Sequence, residues 1–389
     1  MTDILKHYAA ALQSLAGQGL LRSLPSVGAA TPPLLDFSGN DYMGLAKRPE
    51  LVDAALAAGR KYGAGSTGSR LLSGNTPVHE AFETRIAADK GAESALIFAS
   101  GYQTNAACIA ALLDKNVLGA EPLVFADRLN HASMHLGCAL AGARQIRYRH
   151  LDLEHLKALL EKHAHEDRPR IILSESVFGM DGDQADVAAL QNLALAHGAL
   201  LYIDEAHATG VFGPRGFGLC EAVALAPTTV AMGTMSKALG ASGGYVACAR
   251  LLRDYLINKS GGFIFSTAPS PLVVAAGLRA WELLPSLGPE RRALLARAAD
   301  LRQGLRQLGL DPGASTTHIV PVILGTPERT LAVKEHLAKR GILVSAVRPP
   351  TVPQGTSRLR LGLSATHTDA DMARLLAELA QATEGGGQQ

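Results

Sequence analysis

Residues 186–207, DVAALQNLALAHGALLYIDEAH, hold the fold in miniature. Leucines and alanines recur at helical spacing over 186–196, then 200–203 run apolar without a break, and Asp204 and His207 follow at once. A periodic segment feeding a short buried run is one arm of a βαβ unit. The alternation extends both ways, with apolar or β-branched runs at 95–99, 123–126, 170–174, 229–232 and 245–249 and a further helical pattern at 152–162. The expected class is α/β, with a mainly parallel central sheet covered by helices on both faces. Such sheets bind ligands beyond the carboxyl ends of their strands, so the residues just after each run are the ones to inspect.

The pattern changes after Trp281. A helical stretch at 289–308 precedes strands at 318–324, 342–347 and 358–363, with helices at 327–339 and 368–382, which predicts a smaller α+β domain. The expected division is an N-terminal helix (3–16) and arm over 1–48, a large domain over 49–285, the small domain over 286–384, and a disordered tail at 385–389. The opening helix and the arm are expected to pack beside the small domain.

At 389 residues, and roughly 150 per domain, that division is economical. Lys+Arg 37 against Asp+Glu 35 leaves +2, so no global field draws the chain to nucleic acid or anionic lipid, and anionic ligands must be met locally. Cys108, Cys138, Cys220 and Cys248 show no metal or redox spacing and read as buried or incidental thiols of a reducing compartment. The first residues lack the apolar core of a secretory signal, and the longest uncharged stretches contain Gln103 and Asn105, or Pro269 and Pro271. The expectation is a soluble cytoplasmic protein with no membrane span. Forty glycines, about 10% against a usual ~7%, ask for many close backbone approaches.

Three patterns mislead. Gly63, Gly65 and Gly68 satisfy GxGxxG, but a helical run at 51–62 precedes them where a dinucleotide fingerprint needs a strand. Asp204-Glu205-Ala206-His207 spells DEAH, yet the chain has no Gly-Lys pair for a phosphate loop. Gly240-Ala241-Ser242-Gly243-Gly244 satisfies GxSxG but leads into a strand, unlike a nucleophile elbow.

The strand ends themselves carry a coherent chemistry. Residues 95–99 lead to Ser100, Gly101 and Tyr102 at the start of a helix, a seat for a phosphate. Residues 123–126 lead to Asp127, Asn130 and His131, and 200–203 lead to Asp204 and His207. Residues 229–232 lead to Thr234, Ser236 and Lys237, with only small residues behind the amine. An imine-forming lysine, a carboxylate, a flat ring and an anion seat are what pyridoxal 5'-phosphate requires.

With Asn40-Asp41-Tyr42-Met43-Gly44-Leu45 and Asp127-Arg128-Leu129-Asn130-His131-Ala132-Ser133 added, the chain resembles the α-oxoamine synthases, fold-type I pyridoxal phosphate enzymes related to aspartate aminotransferase. The resemblance runs from about Gly19 to about Leu379. Within the family, Arg348-Pro349-Pro350-Thr351-Val352-Pro353 and Arg358-Leu359-Arg360-Leu361 are most similar to members that condense L-alanine with a pimeloyl thioester in biotin biosynthesis. Other members, glycine C-acetyltransferase and 5-aminolevulinate synthase, usually carry an aromatic-Pro pair there. A scaffold subunit without turnover usually loses the lysine that this chain keeps.

The resemblance implies a role for each matched residue. Lys237 forms the Schiff base and then acts as general base; Asp204 pairs with the pyridine nitrogen; His131 stacks on the ring and assists proton transfer. His207 and Thr234 reach the ring hydroxyl and the phosphate, and Gly101 and Tyr102 cradle the cofactor by their backbone. Thr267 reaches a phosphate across the interface of a homodimer. Asn40 and Arg360 meet the amino-acid carboxylate, Arg22 and Thr351 the acyl chain, whose carrier is CoA or an acyl carrier protein. One position departs: Gly179 stands where the family commonly has Ser, so either Gly179 contributes only backbone or Ser176 moves in.

Overall fold

The computed structural model describes residues 3–22, 24 and 34–384. A short strand, β1 (Leu35–Asp36), precedes the seven strands of the main sheet. These are β2 (Ser94–Phe98), β3 (Leu123–Asp127), β4 (Gln145–Tyr148), β5 (Arg170–Glu175), β6 (Ala199–Asp204), β7 (Thr229–Thr234) and β8 (Gly244–Cys248). Their order is β2-β8-β7-β6-β5-β3-β4. All pairs from β7 to β4 are parallel, and β8 alone runs antiparallel to its neighbours.

Every strand expected from the apolar runs is present, displaced by a residue or two at most. β4 is an addition: only Tyr148 of its four residues is buried, so this edge strand has no apolar run to betray it. β8 follows β7 through a loop too short for a crossover helix, which leaves only the antiparallel direction. The quoted stretch behaves as its pattern asks. Asp186 accepts a hydrogen bond from the Ala189 N–H and caps the helix Val187–Ala196, which buries Leu190 and Ala194 beside β6.

Beyond the helix Gly288–Gln307 lie β9 (Ile319–Gly325), β10 (Ile342–Leu343), β11 (Ser345–Val347) and β12 (Ser357–Gly362), three of which form an antiparallel sheet. Its order is β11-β12-β9, while β10 leaves it to pair in parallel with β1. The single strand expected at 342–347 is therefore two strands serving two sheets. Pairing with β1 continues as the Phe37 N–H donates to Leu343 O, the Gly362 N–H to Phe37 O and the Ala365 N–H to Tyr42 O. These bonds lay residues 37–42 along β12 and bring Asn40 and Tyr42 beside Arg360.

A continuous apolar core joins the helices behind β7 and β8 to the C-terminal sheet. At its centre the Trp281 ring stacks on Phe217 at 4.7 Å, and its Nε1–H donates to Asp89 Oδ2 at 2.9 Å. The helix Asp3–Gly17 has no buried residue. It lies near the 345–351 segment, where Arg348 donates to Gly19 O. All four cysteines are buried and free, as expected. No helix among the described residues is long and apolar enough to cross a membrane. The tail at 385–389 lies outside the described residues.

Candidate active site

Two cavities open at the carboxyl ends of the parallel strands. The smaller, about 230 Å³, is walled by Gly101, Tyr102, Asn105, Asp204 and Thr234. The larger, about 770 Å³, reaches outward past Asn40, Gly179 and Arg360 to Arg22 and Thr351. His131, Glu175, His207 and Lys237 line both, so the two volumes meet at the amine.

Lys237 follows β7 in a loop backed by the buried Ala238 and Leu239. Its Nζ stands 2.8 Å from His207 Nε2. Burial pushes the ammonium down, against the pull of Asp204 and Glu175, to about 8. The His207 ring is buried and held far below the usual histidine range by desolvation first, then by the Lys237 and Arg360 charges. It is therefore neutral. On its other side Nδ1 meets the Tyr42 hydroxyl at 2.7 Å.

Asp204 ends β6 with both oxygens engaged. Oδ1 accepts the Ala206 N–H at 2.8 Å and Oδ2 accepts Asn105 Nδ2 at 2.7 Å. The same Asn105 amide donates to Ser133 Oγ at 2.9 Å, while its Oδ1 accepts the Tyr202 hydroxyl at 2.9 Å. Ser133 Oγ in turn lies 2.7 Å from His131 Nδ1, which also accepts the Ser133 N–H. A hydrogen-bonded line thus runs from Asp204 through Asn105 and Ser133 to His131. Burial lowers the His131 pKa, partly opposed by Asp204; with Nδ1 accepting, the ring presents Nε2–H to the cavities.

Gly101 and Tyr102 open the helix Gly101–Leu112, capped by Ser100 through a bond from the Gln103 N–H. Helix geometry leaves their N–H groups without intrahelical acceptors at the positive end of the dipole. A Cβ at Gly101 would stand 3.1 Å from Thr234 Oγ1, so a side chain here would fill the seat. Thr234 is buried, and its hydroxyl is within 2.7 Å of both Ser236 Oγ and Gly243 O.

Arg360, on β12, is buried and threefold engaged. Its Nε donates to Gly179 O at 2.5 Å, and one Nη2 reaches both Asn40 Oδ1 and the Tyr42 hydroxyl at 3.0 Å. Gly179 contributes its carbonyl to Arg360, while the Ser176 hydroxyl stays behind on Asp204 O. A Cβ at Gly179 would come within 2.3 Å of His207 Nε2, leaving no room for a side chain against this ring.

Arg22 and Thr351 line the large cavity and are exposed. Thr267 is exposed after the turn Gly261–Ile264 and lines neither cavity of its own chain. Glu205, the second residue of the DEAH pattern, turns away from the site into a fully buried ion pair with Lys90.

Three participants had not been singled out from sequence: Glu175, Asn105 and Tyr42. Glu175 ends β5 in register with Asp204 on β6, and accepts the His131 N–H at 2.6 Å. Burial first, and the Asp204 charge after it, raise its carboxyl well above the usual range. The signal was available, since Glu175 is the residue just after the 170–174 run. Asn105 sits one helical turn beyond Gly101, too common a placement to stand out. Tyr42 lies inside the quoted 40–45 motif, but only the pairing of β1 with β10 reveals what its hydroxyl joins.

The family model described as aminotransferase class I and II matches residues 32–379. The chain belongs to the aminotransferase class I and II family. Its fold is the fold-type I architecture of that family. Among similar family members is 8-amino-7-oxononanoate synthase of Gluconacetobacter diazotrophicus, 48% identical over 91% of this chain and 89% of that protein. Among solved structures, serine palmitoyltransferase of Sphingomonas wittichii superposes with a TM-score of 0.89 at 28% identity, covering 100% of this chain and 99% of that one. The 8-amino-7-oxononanoate synthase of Francisella tularensis superposes at 0.76 with 25% identity, covering 90% and 98%.

The residues present fit pyridoxal phosphate. A weakly basic amine, a doubly anchored carboxylate and a helix N-terminus kept open by Gly101 wall one cavity of suitable chemistry.

Proposed function

We propose that this chain is an α-oxoamine synthase that condenses L-alanine with a pimeloyl thioester, releasing CO2 and the free thiol, to form 8-amino-7-oxononanoate in biotin biosynthesis. The observation that carries this reading is the Lys237 amine at the junction of two cavities, one sized and charged for the cofactor and the other open toward a long acyl chain. Relatives named 8-amino-7-oxononanoate synthase at 45–48% identity support the acyl substrate.

Pyridoxal 5'-phosphate supplies the aldehyde that captures amines and the ring that withdraws electrons from the adjoining carbon. The protein does the rest. Gly101, Tyr102 and Thr234 hold the phosphate, and Asp204, fixed by Asn105, holds a proton on the pyridine nitrogen. Lys237 would hold the aldehyde and would move the α-proton of alanine, and its depressed basicity suits that role near neutrality. His131 covers the ring and offers Nε2–H toward the acyl carbonyl. Arg360 and Asn40 fix the alanine carboxylate, and Arg22 and Thr351 border the acyl end. Acyl delivery is by CoA or an acyl carrier protein. The working form is a cytoplasmic homodimer in which the partner's Thr267 completes the phosphate seat, consistent with Thr267 being exposed and outside the cavities of its own chain.

The test is product analysis by mass spectrometry with L-alanine and pimeloyl-CoA, alongside glycine with acetyl-CoA and glycine with succinyl-CoA. The amino ketone is expected from the first mixture in clear preference. A preference for either glycine mixture would reassign the acyl substrate, and no product in any would overturn the reading.

A further inference from the structure

The His131 loop and the Gly179 turn come from different strand ends, and the side chain that ties them together belongs to neither. His150 follows β4. Its Nδ1 lies 2.9 Å from Asp127 Oδ1 and its Nε2 3.0 Å from Asp183 Oδ2. A carboxylate faces each ring nitrogen, and a neutral imidazole can donate to only one, so this geometry calls for the doubly protonated cation.

The Asp127 carboxylate organises one loop, and Asp183 belongs to the backbone of the other, with His150 the one partner of its carboxylate among the described residues. Asp127 Oδ1 also accepts the Leu129 N–H at 2.9 Å, bending the chain toward His131, and its Oδ2 accepts the Leu151 N–H. Asp183 closes the turn bearing Gly179: its carbonyl accepts the Phe178 N–H, the Gly182 N–H returns to Phe178 O, and Val177 bridges Gln184. The His150 ring stands edge-on to Phe178 at 4.4 Å, and Phe178 and Leu129 both line the large cavity. We propose that His150 is a positioning residue, a cationic clamp between Asp127 and Asp183 that fixes the His131 loop against the Gly179 turn. The inference rests on these two loops being the walls of the cofactor and substrate site.

Charges around the ring agree with that role. Burial works against the cation, but the bonds to Asp127 and Asp183 overcome it and raise the ring to about 9. Other titratable neighbours look elsewhere. Tyr148 is a buried phenol pushed further up by Asp127, Arg149 turns outward to Asp152 at 2.7 Å, and Glu175 is committed to the His131 N–H.

The full chain is compared as wild type, His150→Gln and Asp183→Asn by three readouts. These are thermal midpoint against pH without cofactor, pyridoxal phosphate affinity from its visible absorption, and kcat/KM for L-alanine. A ring raised from 6.5 to about 9 stabilises the fold fully below 6.5, and that contribution is lost as pH rises through 9. The wild type is therefore expected to lose thermal stability over that window. His150→Gln should flatten the loss, weaken the cofactor and lower kcat/KM by about a hundredfold through misplaced walls. Asp183→Asn should move the window toward neutral pH. The clamp is overturned if His150→Gln lowers only the thermal midpoint and leaves affinity and kcat/KM unchanged, as a merely structural ring would. It is equally overturned if Asp183→Asn leaves the window in place. A wild type that binds cofactor yet makes no amino ketone sinks the proposed reaction alone, because the affinity and stability readouts still judge the clamp.

Discussion

The two cavities that meet at Lys237 are built in opposite ways. The smaller stands on the ends of β5, β6 and β7, and its polar side chains are bonded to one another, from the buried Asp204, Asn105 and Ser133 out to the exposed His131: Asp204 to Asn105, Asn105 to Ser133, Ser133 to His131. The larger takes its outer wall from Leu12 and Leu15 of a helix without one buried residue, and from Arg22 and Thr351, which are exposed. Rigid strand ends suit a bond-making centre, where sub-ångström placement decides rates. A wall of exposed apolar side chains suits a flexible chain, which needs exclusion of water more than exact contacts.

That contrast can be broken by experiment. The largest effect should come from Lys237→Ala, expected to abolish the visible band of bound cofactor and cut turnover by about 10³-fold or more. Absorbance and product formation check this together, and retained turnover would remove the amine from the mechanism. Asp204→Asn keeps the shape but not the charge, and is expected to cost about a hundredfold in kcat with cofactor still bound.

A pH profile sharpens the comparison next. Only the neutral amine captures the aldehyde, and burial leaves Lys237 at about 8. Its neutral fraction grows as pH rises through that value. The rate of cofactor capture by the free chain, followed by stopped-flow absorbance, should climb through pH 8 and then level off. A climb centred near the ordinary lysine value of 10.5 would contradict the desolvated site.

Gly179→Ala probes the seam between the cavities. The added carbon meets His207 Nε2, whose ring is pinned by Tyr42, and overpacking of this kind costs roughly 1–3 kcal/mol. Cofactor affinity should fall by about thirtyfold at the middle of that range, measured by absorbance titration. The smallest effect is expected at the outer wall. Leu12→Ala should raise KM for the acyl thioester by only a few-fold, about 1 kcal/mol, and leave cofactor affinity untouched. Loss of cofactor from this variant would show that the two walls are not separate.

Much of the small cavity was legible in sequence because strand-end chemistry is local. Asp204, Thr234 and Lys237 sit within a few residues of runs whose apolar character marks them as buried strands. Gly101 opens the helix that follows β2, as a phosphate seat requires. Arg360 and Asn40 were placed by resemblance alone, and the structure brings them within 3.0 Å of each other. β4 carries no apolar run because an edge strand buries little, and Glu175 follows its run as Asp204 does, but only the register of β5 on β6 sets the two carboxyls side by side.

By itself, then, the sequence determined the alternation of strands and helices, and with it the edge of the sheet at which chemistry occurs. Apolar periodicity is written along the chain, and a parallel sheet has one end where its loops converge. Tertiary structure alone decided which loops meet there and in what ionisation state. Pairing of β1 with β10 sets Tyr42 and Asn40 against Arg360, and burial among Asp204, Glu175 and Arg360 weakens Lys237 as a base. Desolvation and the sum of nearby charges depend on what lies around a group in space, and no spacing along the chain encodes them.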